Sequence, residues 1–215
     1  MDPLTLSTAV ALVVAPLFLL LGVPLGYLLS RPRLPLRGLW EALVSLPLVF
    51  PPIVLGFLLL LVLGRDSLLG TWLAKLGGFS FVFSFAGVAL ASLLAGLPLI
   101  VKPVQAALES SQQELIEASY TLGKSPLATF FRVVLPGIRA SVLAGLGLAV
   151  ARSLGEVGIT LMLGGDITNR TETLSLAVYN AVLNGDFGRA ERLSLVLGAA
   201  SLLLFIALRG GRILR

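Results

Sequence analysis

The sequence predicts an all-α integral membrane protein with about five transmembrane helices, or six if a re-entrant segment is counted. Hydrophobic residues make up 57% of the 215 residues and charged residues only 13%, with a mean hydropathy of +1.00. Soluble domains carry roughly a quarter charged residues. Residues 3–30, 42–64 and 76–101 contain no charge, and about 20 apolar residues in a helix cross a bilayer core. We therefore expect residues 1–215 to form a single transmembrane domain.

The first uncharged stretch, residues 3–30, is predicted to be a retained span. The competing interpretation is a secretory signal peptide, which carries its basic residues before the apolar run. Here only Asp2 precedes the run, whereas Arg31, Arg33 and Arg37 follow it. These reversed flanks favour a membrane anchor over a cleaved signal.

Proline and glycine mark the limits of the second and third spans. Pro51 and Pro52 lie inside the second uncharged stretch and predict a broken helix, which can line a pathway. Gly77 and Gly78 lie at the start of the third stretch, so its helix is expected to begin somewhat later.

The fourth and fifth spans are weaker by composition. The fourth is predicted over about residues 140–164, although this segment contains Arg152 and Glu156. The fifth has only the uncharged run 193–208, which the arginines at its two ends can lengthen by reaching toward the interfaces.

Residues 165–192 connect these two spans and are too short to cross the membrane as well. A short helix over about 173–185 is predicted from apolar residues at helical spacing. They are Leu174, Ala177, Val178, Ala181 and Val182. This pattern fits an amphipathic surface helix and a re-entrant gate element equally well.

The basic residues predict the orientation of the five spans. Ten lie on one side: Arg31, Arg33, Arg37, Lys102, Lys124, Arg132, Arg139, Arg209, Arg212 and Arg215. Five lie on the other: Arg65, Lys75, Arg170, Arg189 and Arg192. Because cytoplasmic loops carry the excess of Lys and Arg, the N-terminus is expected outside and the C-terminus in the cytoplasm. The net charge of +5 is thereby explained by lipid orientation and not by nucleic acid.

Residues 103–138 form a polar segment on the predicted cytoplasmic side and are expected to fold as two short helices. Gly123 is suited to the positive φ that follows a helix end. Ser125 and Pro126 match an N-cap and the first helical position, and Pro136 is expected to end or bend the second helix. The segment is therefore predicted to be an elbow on the membrane surface.

The elbow resembles the cytoplasmic "EAA" loop of binding-protein-dependent ABC importer permeases. The matching residues are Glu117, Ala118, Ser119, Gly123, Lys124, Leu135 and Pro136. The resemblance implies that this loop docks into an ATP-binding partner subunit, and that the chain is a multi-pass protein of the cytoplasmic (inner) membrane. An ordinary amphipathic surface loop is the alternative.

Gly123, Lys124 and Ser125 also imitate the end of a phosphate-binding P-loop. However, the first glycine of that pattern would fall at residue 118, which is alanine, and no strand is predicted before it. We therefore expect no cofactor in this chain, with ATP and Mg²⁺ bound by the partner ATPase.

The sequence lacks Cys and His, which excludes thiol chemistry, Ser-His-Asp catalysis and His or Cys metal sites. A transport subunit is expected rather than an enzyme.

Two charged residues fall inside the fourth predicted span. Arg152 and Glu156 are four residues apart, so in one helix they would share a face. Charged side chains within a membrane normally face the bundle interior or a water-filled cavity. The pair is expected either to lock helices together or to line the translocation pathway, with Ser153 and Thr160 beside it.

Three further segments resemble the molybdate permease subunit of ABC importers. They are residues 152–158, 160–165 and 171–179. The first is equally similar to sulfate/thiosulfate permeases, so a sulfate permease is the alternative and a passive anion channel is the alternative of another class. The resemblance implies the type I permease fold and a homodimer joined by two ATPase subunits. It also implies an external oxyanion-binding protein that delivers molybdate or tungstate for alternating-access import.

Overall fold

The computed structural model describes residues 1–77, 80–111 and 113–208, and these residues form helices joined by turns, without strands. The helices are α1 (Pro3–Leu29), α2 (Arg37–Val49), α3 (Pro52–Leu63), α4 (Leu68–Gly77), α5 (Phe85–Ser111), α6 (Gln113–Thr121), α7 (Pro126–Leu154), α8 (Gly158–Gly164), α9 (Leu174–Leu183) and α10 (Phe187–Leu208). Gly78 and three of the basic residues used for orientation, Arg209, Arg212 and Arg215, lie outside the described residues.

Helices α1, α5, α7 and α10 are long and apolar enough to cross a membrane, and the α2–α3 pair supplies a fifth span if it is counted as one. The predicted all-α membrane fold is therefore confirmed. Helix α4, which lies between the second and third spans, is a short amphipathic element that the sequence interpretation missed.

The α2–α3 pair bends by 118° at the two adjacent prolines. Phe50, which precedes Pro51, is extended with φ −76° and ψ 141°, because a residue before proline avoids the helical region. The predicted broken helix is confirmed. No residue of α2 is buried. Two polar contacts link it to α5: Arg37 pairs with Glu109 at 2.5 Å, and Glu41 accepts from the Gln105 amide at 2.8 Å.

The core is formed where α1 and α7 pack on α5. Its fully or almost fully buried side chains include Phe18, Ile100, Val101, Val104, Ile138 and Ala149. Glycines allow this packing, because a Cβ at Gly145 would lie 3.0 Å from the Ile100 Cα, and small residues let membrane helices approach closely.

Helix α7 corrects two predictions. The fourth span is not one helix over 140–164, because α7 starts at Pro126 and ends at Leu154, and α8 is separate. Of the two alternatives expected at Pro136, an end or a bend of the helix, the end is wrong, because α7 continues through Pro136 to Leu154. A π-helical segment, Phe130–Val134, immediately precedes the α-helical part that contains Pro136, and such local widening accommodates backbone groups that lack a regular partner.

The start of the predicted elbow segment also differs. Residues 103–111 are not a separate short helix, because α5 continues through Pro103 to Ser111.

The predicted helix over 173–185 is confirmed as α9, whose N-terminal half is buried. Helix α10 is largely exposed along its length, as expected of a helix that faces lipid.

Candidate functional site: the elbow and the charged helix break

The turn of the elbow is a Schellman motif at the end of α6. The Lys124 N–H donates to the Ser119 carbonyl at 3.1 Å, and the Gly123 N–H donates to the Tyr120 carbonyl at 2.9 Å. This pattern requires a left-handed residue just past the helix, and Gly123 has φ +72°. The positive φ expected at Gly123 is confirmed.

The next helix starts with the predicted cap. Ser125 Oγ accepts from the Ala128 N–H at 3.3 Å, and Pro126 occupies the first helical turn. One further contact, which the sequence interpretation missed, joins the two arms of the elbow. The Ser119 hydroxyl lies 2.8 Å from the Thr129 hydroxyl, and both residues are buried. This contact links α6 directly to the start of α7.

The remaining predicted elbow residues lie mostly at the surface. Glu117, Ala118, Lys124 and Pro136 are exposed, whereas Leu135 is half-buried within α7. Apolar side chains stand beside them, with Leu122 78% and Leu127 72% exposed. An open groove of about 270 Å³ runs between α6 and α7, and its lining includes Leu115, Leu122, Lys124, Arg132 and Val133. An exposed apolar surface of this kind on a rigid turn is typical of an interaction site.

Arg152 and Glu156 lie together, but not on one helix face as predicted. Helix α7 ends at Leu154, so Glu156 is in the break before α8. The two side chains nevertheless form an ion pair, with Arg152 Nη1 2.7 Å from Glu156 Oε2. The Glu156 side chain is 1% exposed and the Arg152 side chain 34% exposed. The arginine therefore keeps part of its surface available, and the carboxylate does not.

Glu156 is held by three elements. Its Oε1 accepts from the Ile159 N–H at 2.8 Å and so caps the first turn of α8. The Glu156 carbonyl accepts from the Ser175 hydroxyl of α9 at 2.8 Å. This explains the break, since a carboxylate that caps a new helix three residues later cannot also lie on the face of the preceding one. Ser175 was missed by the sequence interpretation, although it lies within the predicted short helix.

The bent α2–α3 pair packs directly against this break. A Cβ at Gly158 would lie 2.9 Å from the Ile53 N, and a Cβ at Gly56 would lie 2.9 Å from the Ile159 Cα. Such contacts are too close for a side chain, so the two glycines allow the α3 and α8 backbones to cross. The pathway-lining role suggested by the prolines is therefore compatible with the position of α3 beside Glu156.

The other two predicted pathway residues are buried within the chain. Ser153 donates its hydroxyl to the Val150 carbonyl at 2.8 Å. Thr160 is fully buried, and its hydroxyl has no hydrogen-bond partner among the described residues. Within the described part of the chain, no three acidic side chains approach closely enough to form a metal site.

Known proteins resemble this chain over most of its length. The family described as "binding-protein-dependent transport system inner membrane component" matches residues 22–211. The molybdenum transport system permease protein ModB of Azotobacter vinelandii is 35% identical over 207 residues, which cover 96% of this chain and 92% of that protein. The ModB protein of Haemophilus influenzae is 39% identical over 179 residues, with 83% and 77% covered. The sulfate transport system permease protein CysT of Escherichia coli is 34% identical over 187 residues, with 87% and 67% covered.

Proposed function

The chain belongs to the family of binding-protein-dependent transport system inner membrane components, and we propose that it is the permease subunit that imports molybdate or tungstate. Relatives named as molybdenum permeases, at 35–39% identity, support molybdate. The sulfate permease match covers less of its own protein and is the alternative. The two oxyanions molybdate and tungstate are nearly isosteric, so one site serves for both.

The elbow is proposed to couple the permease to an ATP-binding partner subunit. The observation that carries this proposal is the rigid turn at Gly123, held by the Schellman motif and by the contact between Ser119 and Thr129. A rigid turn transmits displacement, whereas a loose loop absorbs it. Seven residues are proposed for the coupling elbow, with Ser119 buried and supporting the turn from within: Glu117, Ala118, Ser119, Gly123, Lys124, Leu135 and Pro136. A passive channel has no need of such an elbow.

We propose a homodimer of this chain with two ATPase subunits and an external oxyanion-binding protein. ATP would close the ATPase dimer and draw the two elbows together, so that the bundle opens outward to receive the anion. Hydrolysis would return the bundle to its inward-facing state. No reaction chemistry is assigned to this chain, and ATP and Mg²⁺ would be bound by the partner.

The pathway is proposed to pass the helix break between α7 and α8. Arg152 retains about a third of its surface and unused guanidinium donors, so it can attract an oxyanion. Glu156 fixes the position of Arg152 and keeps the site from holding the anion too tightly. Ser153 and Thr160, on the two helices that flank the break, are proposed to shape the pathway beside this pair.

ATP hydrolysis by the reconstituted complex tests the proposal. The chain would be reconstituted with its ATPase and binding protein, and molybdate, tungstate and sulfate compared at equal concentration. Stimulation by molybdate or tungstate but not by sulfate is expected. Stimulation by sulfate alone would identify sulfate as the substrate and leave the assignment as a permease unchanged. Failure to associate with an ATPase would favour a passive channel. The same complex without binding protein is the control.

A further inference from the structure

A cavity of about 540 Å³ lies beside the elbow, between the end of α1, the end of α5 and α6. Ligand pockets in proteins have volumes of roughly 300–1,000 Å³, so this cavity is large enough for a small polar group. Its inner wall includes Leu108, which is 4% exposed, and the half-buried Ile116. Its rim carries the charged and aromatic side chains discussed next.

Two arginines of the rim have guanidinium groups without a carboxylate partner. Among the described residues, neither Arg31 nor Arg33 forms an ion pair. Arg31 is held in place by Tyr27, with its guanidinium carbon 4.8 Å from the ring centroid and Nη2 donating to the phenol oxygen at 3.0 Å. Since a guanidinium has five N–H donors, most of the donors of Arg31 remain free. The guanidinium groups at the rim can therefore bind an anion.

The cavity lining also includes Tyr120 and Glu117. Burial raises the pKa of the Tyr120 phenol, with the neighbouring Tyr27 adding to the shift. A phenol with an ordinary or raised pKa is protonated at neutral pH, so Tyr120 can donate a hydrogen bond there. Glu117 contributes the one negative charge of the lining, so the cavity carries a net charge of +1.

The cavity lies immediately beyond the end of a helix that is long and apolar enough to cross the membrane. Arg31 directly follows the uncharged residues 3–30, which form the transmembrane helix α1. Basic clusters immediately beyond a transmembrane helix attract anionic lipids, and basic pockets between such helices bind lipid phosphates. Guanidinium groups match phosphate with paired hydrogen bonds.

We propose that this cavity is a binding site for the phosphate of an anionic phospholipid, with Arg31 and Arg33 as the anion-binding residues. Bound lipid would fill the space between the end of α1 and α6. This inference goes beyond the transport function and does not depend on the identity of the transported anion.

Native mass spectrometry of the full-length chain tests the site. The chain would be titrated in detergent with phosphatidylglycerol or phosphatidylcholine, alone and in complex with its ATPase. We expect phosphatidylglycerol to be retained in preference to phosphatidylcholine. Arg31→Gln and Arg33→Gln should each weaken this retention about fivefold, and the double variant about thirtyfold. Arg139→Gln, which removes a charge from the same side outside the cavity, should leave it unchanged.

Several results would overturn the assignment. Equal weakening by Arg139→Gln would mean that diffuse surface charge holds the lipid. Displacement of the lipid by millimolar inorganic phosphate would identify a free anion as the ligand, and loss of the lipid on assembly would assign the cavity to the ATPase interface. The Arg31→Lys/Arg33→Lys variant should retain more lipid than the double glutamine variant, because an ammonium still attracts phosphate. Equal loss in both would indicate a disrupted fold and would also overturn the site.

Discussion

At Gly123, backbone conformation and not side-chain packing decides which residues the elbow accepts. A Cβ at this position would meet no atom within 4 Å, so there is room for a side chain. The φ of +72° is the constraint, since the left-handed conformation costs a residue with a Cβ about 1–2 kcal/mol. Asparagine tolerates this region better than other residues, and proline cannot enter it.

Gly123→Pro is therefore expected to uncouple ATP hydrolysis from uptake while the chain still inserts in the membrane. Proline fixes φ near −65° and removes the N–H that donates to Tyr120. Gly123→Asn is the matched control and should keep most of the coupling. The measurement is oxyanion uptake per ATP hydrolysed in proteoliposomes, and normal coupling in the proline variant would rule out a mechanical role for the turn.

Arg152 and Glu156 contribute differently to transport and to stability. Removing the arginine leaves a carboxylate that is 1% exposed without its partner, and breaking a buried pair costs up to about 3–5 kcal/mol. The cost should be lower here because Arg152 is one-third exposed. The carboxylate also keeps its hydrogen bond to the Ile159 N–H.

Arg152→Ala is expected to impair uptake more than insertion, and Arg152→Ala/Glu156→Gln should separate the two effects. The glutamine removes the unpaired charge but retains an oxygen that can accept from Ile159. We expect the double variant to regain thermal stability but not uptake. The measurements are oxyanion uptake per inserted molecule and the midpoint of thermal unfolding in detergent. If uptake and unfolding midpoint both fell in the single variant and both recovered in the double variant, the pair would be purely structural.

Among the elements, the elbow is stabilised by a contact between its arms, and the helix break by contacts among α3, α8 and α9. The hydroxyls of Ser119 and Thr129 are both buried, so each would lose its hydrogen bond if the other were truncated. The α3 and α8 backbones approach closely at Gly56 and Gly158. This packing connects the bent α2–α3 pair to the helix break. Movement of one element must therefore shift its neighbour.

A double-mutant cycle on the elbow is predicted to show coupling between the two hydroxyls. Ser119→Ala and Thr129→Val should each destabilise the elbow by about 1–3 kcal/mol, because each leaves a buried hydroxyl unpaired. The double variant should cost less than the sum of the two. Hydrogen exchange of the α6 amides measures this difference, and strictly additive effects would show that the arms are joined by other contacts.

In the whole molecule, the predicted membrane orientation would place the elbow and the connection between α9 and α10 on opposite sides. The positive-inside rule predicts the elbow in the cytoplasm. Because the chain has no cysteine, a single introduced thiol reports its side without a background signal.

Lys124→Cys and Asn184→Cys are expected to react from opposite sides of the membrane. Both positions are exposed, so access and not burial should control labelling. A membrane-impermeant maleimide applied to intact cells should label the cysteine at 184 and should reach the one at 124 only after permeabilisation. The reverse pattern would invert the orientation and exclude the elbow as a cytoplasmic coupling surface.

The fold class, the broken second span and the chemistry of the elbow turn could be predicted from the sequence, since these depend on local properties. Runs of apolar residues require a bilayer, Pro51 and Pro52 break a helix wherever they occur, and Gly123 permits a positive φ that other residues resist. The resemblance of residues 117–136 and 152–179 to importer permeases also needed no coordinates.

The position of Glu156 and its contacts, in contrast, depend on the packing of separate helices. Spacing along the chain placed it on one helix face with Arg152, but the hydrogen bonds to Ile159 and Ser175 stabilise a break instead. Ser175 is 19 residues away in sequence and Thr129 is 10 residues from Ser119. Helical periodicity carries no information about contacts between separate helices, so these links depend on how the bundle packs.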